Sequence, residues 1–273
     1  MQSQLAGYNF ADSLTADCDF FTAAEFQLSL HYMTPIKTLY IFPHPDDESF
    51  GPAPVIYRQT KRGEEAYLLT LTKGGATKVR FKYNYSIEEM GDVRVKEMEA
   101  VAKVLNLNDM TILDIEDGGM SEMNPLALEK IVGDHIQKIQ PDIVVTYAIH
   151  GISGHHDHLS IHAVIKRLFC ERKEKFSSWK RLAMLTFPTP ENTEREGAMA
   201  HVRTSNPKLI DCIIHLNEEE RAKLKEALFC YKTFMEVIES TDVINQVGDK
   251  VHFEFFEEDF NPPVSELNTS LPG

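Results

Sequence analysis

Short apolar runs of strand length alternate with segments of helical spacing over most of the chain. The first four predicted strands are residues 37–43, 65–72, 110–115 and 141–147. Apolar residues recur with helical periodicity in 93–107 and 124–140, which predicts an amphipathic helix in each segment. The strands are apolar almost throughout rather than at every second position. This pattern predicts an α/β fold with a Rossmann-like, mainly parallel sheet and helices on both of its faces.

The same alternation continues in the second half of the chain. It predicts a helix over 159–174, strands over 182–187 and 209–216, a helix over 217–239 and a last strand over 250–256. No linker rich in Gly, Pro or Ser separates a second domain. We therefore expect an N-terminal extension over residues 1–35 and a single domain over 36–273. The loop 188–208 is long enough to have a functional role.

The composition excludes several classes of protein. With 28 Lys and Arg against 42 Asp and Glu, the net charge is −14, which disfavours binding to nucleic acid or to an anionic membrane surface. The four cysteines form no CxxC pair, so neither a disulfide framework nor a thiolate zinc site is indicated. No apolar run approaches the roughly 18 residues of a membrane helix, and no leader-like segment opens the sequence. We expect a cytoplasmic protein without a membrane span; a homo-oligomer stays open.

A dense polar cluster, HPDDE, follows the first predicted strand. Its ionisable members are His44, Asp46, Asp47 and Glu48. They lie beyond the carboxyl end of a strand, where α/β sheets bind their ligands. Imidazole and carboxylate groups together suit Zn²⁺, and Fe²⁺ or another divalent metal could take its place. A simpler interpretation is that Asp46 and Asp47 cap a helix that begins near Phe50, and the two roles are compatible.

A second cluster, GHHDH, follows the fourth predicted strand. Its ionisable members are His155, His156, Asp157 and His158. A catalytic zinc ion usually takes three protein ligands and keeps one position open, so one cluster can complete the ligand set of the other. Either cluster alone is more often a hydrogen-bonded surface pair than a metal site. Both together, at equivalent ends of two strands, favour one shared metal site across a crevice.

These motifs resemble the LmbE-like/PIG-L deacetylase family, in which HPDDE is followed later in the chain by GHxDH. The resemblance runs from about Lys37 to Cys170. It also includes LTKGG after the second strand, the RxxE pair Arg94 and Glu97, and DGGM after the third strand. It implies an LmbE-like fold and a zinc-dependent N-deacetylase. Its substrate would be a small molecule, an N-acetylglucosamine-type amino sugar or its conjugate, from which the acetyl group is removed.

The resemblance implies a chemical role for five residues. The zinc ligands would be His44, Asp47 and His158. Asp46 would act as general base and then as general acid, and His155 would stabilise the oxyanion. This division agrees with the chemistry of the residue types, because Asp46 is next to a ligand without being one and can exchange a proton with the reacting groups.

The resemblance also implies supporting roles. Arg94 and Asp117 would contact the sugar conjugate, Asp157 would orient a histidine ligand from outside the metal, and Glu48 would support the site. The residues alone allow other interpretations. Arg94 could be a solvated charge or the ion-pair partner of a nearby carboxylate, and Asp117 precedes two glycines as an ordinary turn residue does. We expect His156 to face away from the metal.

The chain departs from the family directly after HPDDE. Relatives commonly have a small-residue stretch there, whereas this chain has SFGPAPVI, in which two prolines predict a stiffer start of the helix. Ser153 occupies a position where some relatives have a tyrosine, and Tyr147 is close in sequence. Two other functions stay open: an amidase that cleaves a thiol-conjugate (mercapturic-type) amide, and a non-catalytic metal- or sugar-binding protein. Asp46 argues against the second, because binding alone does not need a free carboxylate.

Overall fold

The computed structural model of the protein describes residues 35–171, 175–190 and 202–272. The strands in these ranges are β1 (Lys37–Phe42), β2 (Glu65–Thr72), β3 (Asp109–Ile115), β4 (Ile143–Tyr147), β5 (Arg181–Thr186), β6 (Cys212–His215) and β7 (Lys250–Phe255). The helices are α1 (Ala53–Lys61), α2 (Arg80–Tyr83), α3 (Ile87–Leu105), α4 (Pro125–Ile139), α5 (His156–Cys170), α6 (Glu218–Leu228), α7 (Met235–Thr241) and α8 (Val243–Val247). Shorter helical turns lie at Met120–Glu122, Gly151–Gly154, Pro207–Leu209 and Lys232–Phe234.

All seven strands of the described residues belong to one sheet, in the order β3-β2-β1-β4-β5-β7-β6. The pairs β1–β2, β1–β4, β2–β3 and β4–β5 are parallel, and β7 runs antiparallel between β5 and β6. The predicted α/β fold with a mainly parallel sheet is therefore confirmed. The chain leaves β1 toward β2 on one side and returns to β4 on the other, which creates the crevice where sheets of this kind bind ligands.

The core lies on both faces of the sheet. In β1, Tyr40 and Phe42 point into one apolar cluster, while Leu39 and Ile41 point into the other. Side chains from α1, α3 and α6 complete the first cluster, and side chains from α4 and α5 complete the second. Because successive side chains of a strand alternate between its faces, burial of both faces explains why the central strands are apolar at every position.

The prediction of a single helix over 217–239 is wrong. The helix ends at Leu228, and a second helix begins only at Met235. Between them the chain turns inward, so that the Tyr231 side chain is fully buried and Thr233 bonds to the carboxylate of Glu97 on α3. These long-range contacts override a local pattern that is typical of one continuous helix.

The predicted capping role of Asp46 and Asp47 is also wrong. The helix after β1 begins at Ala53 rather than near Phe50, and its cap position, Pro52, makes no side-chain hydrogen bond. The backbone carbonyl of Asp46, not its carboxylate, accepts hydrogen bonds from the N–H groups of Ser49 and Phe50. The two aspartate side chains are therefore available for other contacts.

Several other predictions fall partly on residues outside the described ranges. The extension 1–35 and its boundary stay predictions, because residues 1–34 are not among those described. The loop 188–208 is described only near its ends, where Pro188 pairs with Ser205. Throughout residues 35–171, 175–190 and 202–272, no helix combines the length and the apolar character that a membrane span requires.

Arg181 at the start of β5 ties the C-terminal segment to the sheet. Its side chain is fully buried, and its guanidinium forms two hydrogen bonds with the carboxylate of Glu258. It also donates to the backbone carbonyls of Leu267 and Thr269. The planar fork of an arginine can serve a carboxylate and carbonyl groups simultaneously, whereas a lysine cannot.

We predict that Arg181→Met lowers the free energy of unfolding by about 3 kcal/mol, because it leaves Glu258 and the two carbonyls without their buried partner. Arg181→Lys should fall between this variant and the unchanged protein. Urea unfolding followed by circular dichroism measures the effect. The matched control is Lys130→Met, which removes an exposed ion pair with Asp134 and should leave the midpoint unchanged. Equal midpoints for Arg181→Met and Lys130→Met would contradict the prediction.

Candidate active site

The two polar clusters meet in the crevice beyond β1 and β4. His44 Nδ1 lies 3.3 Å from His158 Nε2, although the two residues are far apart in sequence. The predicted convergence of HPDDE and GHHDH is thus confirmed. It follows from the topology, because β1 and β4 are parallel neighbours and their carboxyl ends lie at the same edge of the sheet.

The side chains of His44, Asp47 and His158 bring possible ligand atoms close together. His44 Nδ1 is 3.6 Å from Asp47 Oδ2, and His158 Nε2 is 3.5 Å from the other oxygen of the same carboxylate, Oδ1. The 3.3 Å between the two nitrogens agrees with the roughly 3.3–3.6 Å between ligands of a tetrahedral zinc ion with metal–ligand distances of 2.0–2.2 Å. The cluster can therefore hold a divalent metal ion. His155 also offers a nitrogen within 4.8 Å of those of His44 and His158.

In their neutral forms, the two histidines are held so that the nitrogens that face each other carry lone pairs. His44 Nε2 lies 3.0 Å from Asp157 Oδ2, so the proton of a neutral His44 is on Nε2 and its lone pair is on Nδ1. His158 Nδ1 lies 2.9 Å from the carbonyl of Gly151, so its lone pair is on Nε2. Partners of this type orient metal-binding histidines in many proteins.

The charge around His44 also suits a cation. Burial lowers the pKa of His44, but hydrogen bonds to Asp117, Asp157 and Asp47 have a larger opposite effect and raise it to about 12. Three carboxylates thus favour a positive charge at this position. A divalent metal ion bound to the cluster would supply that charge in place of the proton, so both the donor set and the electrostatics fit a metal.

Asp46 is held beside this cluster in a strained backbone conformation. Its φ of 89° is rare for any residue other than glycine. Its N–H donates to the Tyr231 hydroxyl at 2.8 Å, and that hydroxyl donates to Glu48 Oε1 at 2.7 Å. Its carboxylate pairs with the Arg94 guanidinium at 3.0 Å. Strain of this kind persists only where several contacts fix it, as they do here.

The carboxyl group of Asp46 is poised near neutrality. Burial raises its pKa, the Arg94 guanidinium lowers it, and the Asp47 charge raises it again, to about 7. By contrast, the charges and hydrogen bonds of His158 and His44 outweigh burial and lower the pKa of Asp47 to about 2. Adjacent aspartates therefore differ in their tendency to carry a proton, which is typical of a base next to a ligand.

Arg94 makes its main contacts inside the protein. Its side chain is only 2% exposed, donates to the Pro45 carbonyl at 2.6 Å and stacks over the Phe234 ring at 4.2 Å. Its ion pair with Asp46 agrees with one interpretation from the sequence, in which Arg94 pairs with a nearby carboxylate rather than with the sugar. The sugar contact stays a prediction, since Arg94 also lines the cavity.

His155 has a defined tautomer. Its Nδ1 accepts a hydrogen bond from the backbone N–H of Asp157 at 3.2 Å, at the N-terminus of α5. Burial lowers the pKa of His155, and the charges of His44 and His158 lower it further, so the ring is neutral at pH 7. The remaining proton is therefore on Nε2. A neutral His155 can donate from that nitrogen into the cavity without being protonated.

The other predicted residues surround the ligands. Asp117 Oδ1 lies 3.3 Å from His44 Nε2, and its Oδ2 accepts from the Ala76 N–H. Asp157 is fully buried and also accepts from the N–H of Gly118. His156 bonds to the Gly118 carbonyl with its side chain 53% exposed, and its ring stacks on that of His155 with 4.4 Å between centroids, so its orientation away from a metal stays a prediction.

Two tyrosines contribute contacts that the sequence motifs did not assign. Tyr147 donates to Asp47 Oδ1 at 2.6 Å, and its ring stacks on His158 with 4.3 Å between centroids. Its position at the end of β4 could have indicated a site role. Tyr231 reaches Asp46 from a distant helix end, and nothing in the local sequence distinguishes it from a core tyrosine.

The cluster of His44, Asp47 and His158, together with Asp46 and His155, lines a cavity of about 830 Å³. The carboxyl ends of β1 to β5 form its floor, and α7 and α8 cover it. Beyond the ionisable cluster, the cavity is lined by Phe50, Ala76, Thr77, Lys78, Ile152, Ser153, Phe187, Val202, Phe234, Val237, Ser240, Thr241, Val243 and Gln246. The volume lies within the range of small-molecule sites.

Comparison with known proteins identifies relatives. The family model for PIG-L, GlcNAc-PI de-N-acetylase, matches residues 39–169, which include both polar clusters. N-acetylglucosaminyl-phosphatidylinositol de-N-acetylase from Bos taurus is 23% identical over 72% of this chain and 74% of its own length. A probable N-acetyl-α-D-glucosaminyl L-malate deacetylase from Bacillus subtilis is 29% identical over 50% of this chain and 62% of its own length.

Solved structures share the fold. N,N′-diacetylchitobiose deacetylase from Pyrococcus horikoshii matches with a TM-score of 0.59 at 17% identity, covering 88% of this chain and 94% of that one. The 4-carboxy-2-hydroxymuconate hydratase GalB from Pseudomonas putida matches with a TM-score of 0.56 at 14% identity, over 82% and 97% of the two chains. At these identities the likeness shows the fold alone. The family match, which spans both motifs, shows that this chain carries a domain of the PIG-L family over residues 39–169.

Proposed function

We propose that the protein is a metal-dependent N-deacetylase that hydrolyses the acetamide of an N-acetylglucosamine-type sugar or conjugate. The observation that carries this proposal is Asp46, a carboxylate held beside the ligand cluster by Arg94 and Tyr231 but not needed to complete it. The two relatives from Bos taurus and Bacillus subtilis are named as deacetylases of N-acetylglucosaminyl conjugates, which supports this substrate class.

His44, Asp47 and His158 would hold the metal. The set of two imidazoles and one carboxylate suits Zn²⁺, and Fe²⁺ or another divalent metal could be bound by the same atoms. When bound, the ion would polarise the acetyl carbonyl and lower the pKa of a water molecule. Asp157 and Gly151 keep the two histidines in the tautomers that such binding requires.

The remaining steps belong to the side chains around the cluster. Asp46 takes a proton from the attacking water and later gives it to the amine nitrogen as the C–N bond breaks, so that acetate and a free amine leave. Its pKa of about 7 suits both transfers. His155 donates its Nε2 proton in a hydrogen bond to the carbonyl oxygen as negative charge develops there. Tyr147 is occupied by Asp47, so we assign it to positioning the ligand.

Arg94 and Asp117 have separate roles in this proposal. Asp117 keeps free lone pairs beside the cavity and would accept hydrogen bonds from sugar hydroxyls. Arg94 would act mainly through Asp46, because the ion pair and the bond to the Pro45 carbonyl fix the position of that carboxylate. This assignment differs from the direct sugar contact that the family resemblance implies, and the two can be separated by kinetics.

The proposed function is tested by amine release from a panel of N-acetylglucosamine conjugates after zinc loading. We expect release of one amine and one acetate per substrate, lost on treatment with a chelator and restored by a divalent metal. A protein stripped of metal that keeps its activity contradicts the mechanism. Release of another acid in place of acetate would instead favour the amidase alternative.

Asp46→Asn separates metal binding from catalysis. We expect kcat to fall at least 100-fold, because the amide cannot accept the proton of water, while the zinc content per chain stays unchanged. Zinc is measured by atomic emission after gel filtration. His158→Ala serves as the contrasting variant and should lose the metal itself. If Asp46→Asn loses its zinc, or keeps its activity, our assignment of Asp46 is wrong.

Arg94→Lys separates positioning from sugar binding. A lysine keeps the charge but cannot contact Asp46 and the Pro45 carbonyl with the same geometry. We expect kcat to fall about 100-fold with little change in KM, since a small displacement of a catalytic group costs on this order. A raised KM with an unchanged kcat would show instead that Arg94 binds the sugar.

A further inference from the structure

We infer that the cavity contains a compartment for an apolar acyl chain longer than acetyl. The inference rests on the proposed function, because it places the scissile amide at His44, Asp47 and His158. It concerns the other end of the amide from the sugar. The compartment is the part of the cavity lined by Phe50, Ile152, Phe187, Val202, Val237 and Val243, and we call it the acyl compartment.

The cavity has two flanks of different chemistry. The sheet order places β2 and β3 on one side of β1, and β4 and β5 on the other. Thr77, Lys78 and Asp117 line the cavity after β2 and β3 and make that flank polar. Ile152 and Phe187 line it after β4 and β5 and make the opposite flank mainly apolar, with the uncharged Ser153 beside them. The metal cluster lies between the two flanks.

The two strand ends of the apolar flank are joined to each other. The segment after Val202 bridges its two strand ends, because the Arg203 N–H donates to the Ile152 carbonyl and the Ser205 N–H donates to the Phe187 carbonyl. The covering helices add Val237 and three polar but uncharged side chains. These are Ser240, Thr241 and Gln246. Among the described residues, the acyl compartment has no charged side chain, so it suits an uncharged alkyl group.

The catalytic groups orient the substrate between the flanks. Asp46, which would protonate the amine nitrogen, is held by Arg94 on α3, the long helix between β2 and β3. The amine half of the amide therefore faces the polar flank. His155 follows β4 and would contact the carbonyl oxygen. The alkyl group of the acyl half, which is attached to the carbonyl carbon, then faces the acyl compartment.

An acetyl group would fill only a small part of this space. It places one methyl group in an apolar surface formed by six side chains, within a cavity of about 830 Å³. Each further methylene that leaves water for such a surface strengthens binding by about fourfold. The compartment therefore favours acyl chains of several carbons that extend from the carbonyl toward Phe187.

Two measurements on the zinc-loaded full chain test this inference. The first is kcat/KM for N-acetyl-, N-butyryl-, N-hexanoyl- and N-octanoylglucosamine by amine release. We expect the hexanoyl compound to exceed the acetyl compound at least tenfold. The second is calorimetric binding of acetate, butyrate, hexanoate and octanoate, which needs no turnover. Affinity should rise at least tenfold from acetate to hexanoate.

A filling variant locates the effect. Val237→Trp occupies the acyl compartment and should reduce the hexanoyl-to-acetyl ratio of kcat/KM at least tenfold. Glu239→Trp introduces the same side chain at an exposed position of the same helix, outside the cavity lining, and should leave the ratio unchanged. Thermal unfolding of both variants checks that each is folded. Equal ratios in the two variants would overturn the assignment.

The possible results separate this inference from the proposed function. If N-acetylglucosamine compounds are hydrolysed, but longer chains are not preferred and longer alkanoates bind no more tightly, the acyl compartment is refuted and the deacetylase function stands. If no amide is hydrolysed, yet alkanoate affinity rises with chain length and Val237→Trp abolishes the rise, the compartment is supported and the proposed function fails.

Discussion

The site depends on four carboxylates that are kept together, largely shielded from water, around His44. They are those of Asp46, Asp47, Asp117 and Asp157. Shielded carboxylates lose their hydration and repel one another, so each needs a partner within the protein. The partners are Arg94 for Asp46, the Tyr147 hydroxyl for Asp47, and the N–H groups of Ala76 and Gly118 for Asp117 and Asp157. The negative charge that remains favours a cation at the centre.

This requirement explains several features of the chain outside the two motifs. Gly118 has a φ of 85°, and in that conformation its N–H donates to Asp157, which in turn orients His44. The chain after α6 leaves its helical path so that Tyr231 reaches the strained backbone of Asp46. Glu97 then fixes that path through its two bonds to Thr233. Arg94 and Glu97, both on α3, thus contact neighbouring residues of the same segment, Phe234 and Thr233.

The sequence predicts the parts of the site that depend on local order. HPDDE and GHHDH each follow a strand, and parallel strands bring their carboxyl ends to one edge of the sheet. The meeting of His44 and His158 could therefore be predicted, and it occurs because β1 and β4 are neighbours in the sheet. For Arg94, the residues alone allowed a solvated charge or an ion pair with a nearby carboxylate, and they did not identify that carboxylate as Asp46. The roles of Tyr231 and Phe187 could not be predicted, because they depend on how distant segments cross the cavity.

The fold does not determine the reaction. A hydratase shares the architecture with the sugar deacetylase, and both chemistries add the elements of water to a substrate. Amide hydrolysis differs in needing one group that first accepts a proton and then returns it to nitrogen. In the proposed function Asp46 would meet this need, since its pKa is about 7 and its backbone conformation is costly to maintain. A protein that only bound a metal would gain nothing from that strain, so the conformation of Asp46 favours catalysis over binding alone.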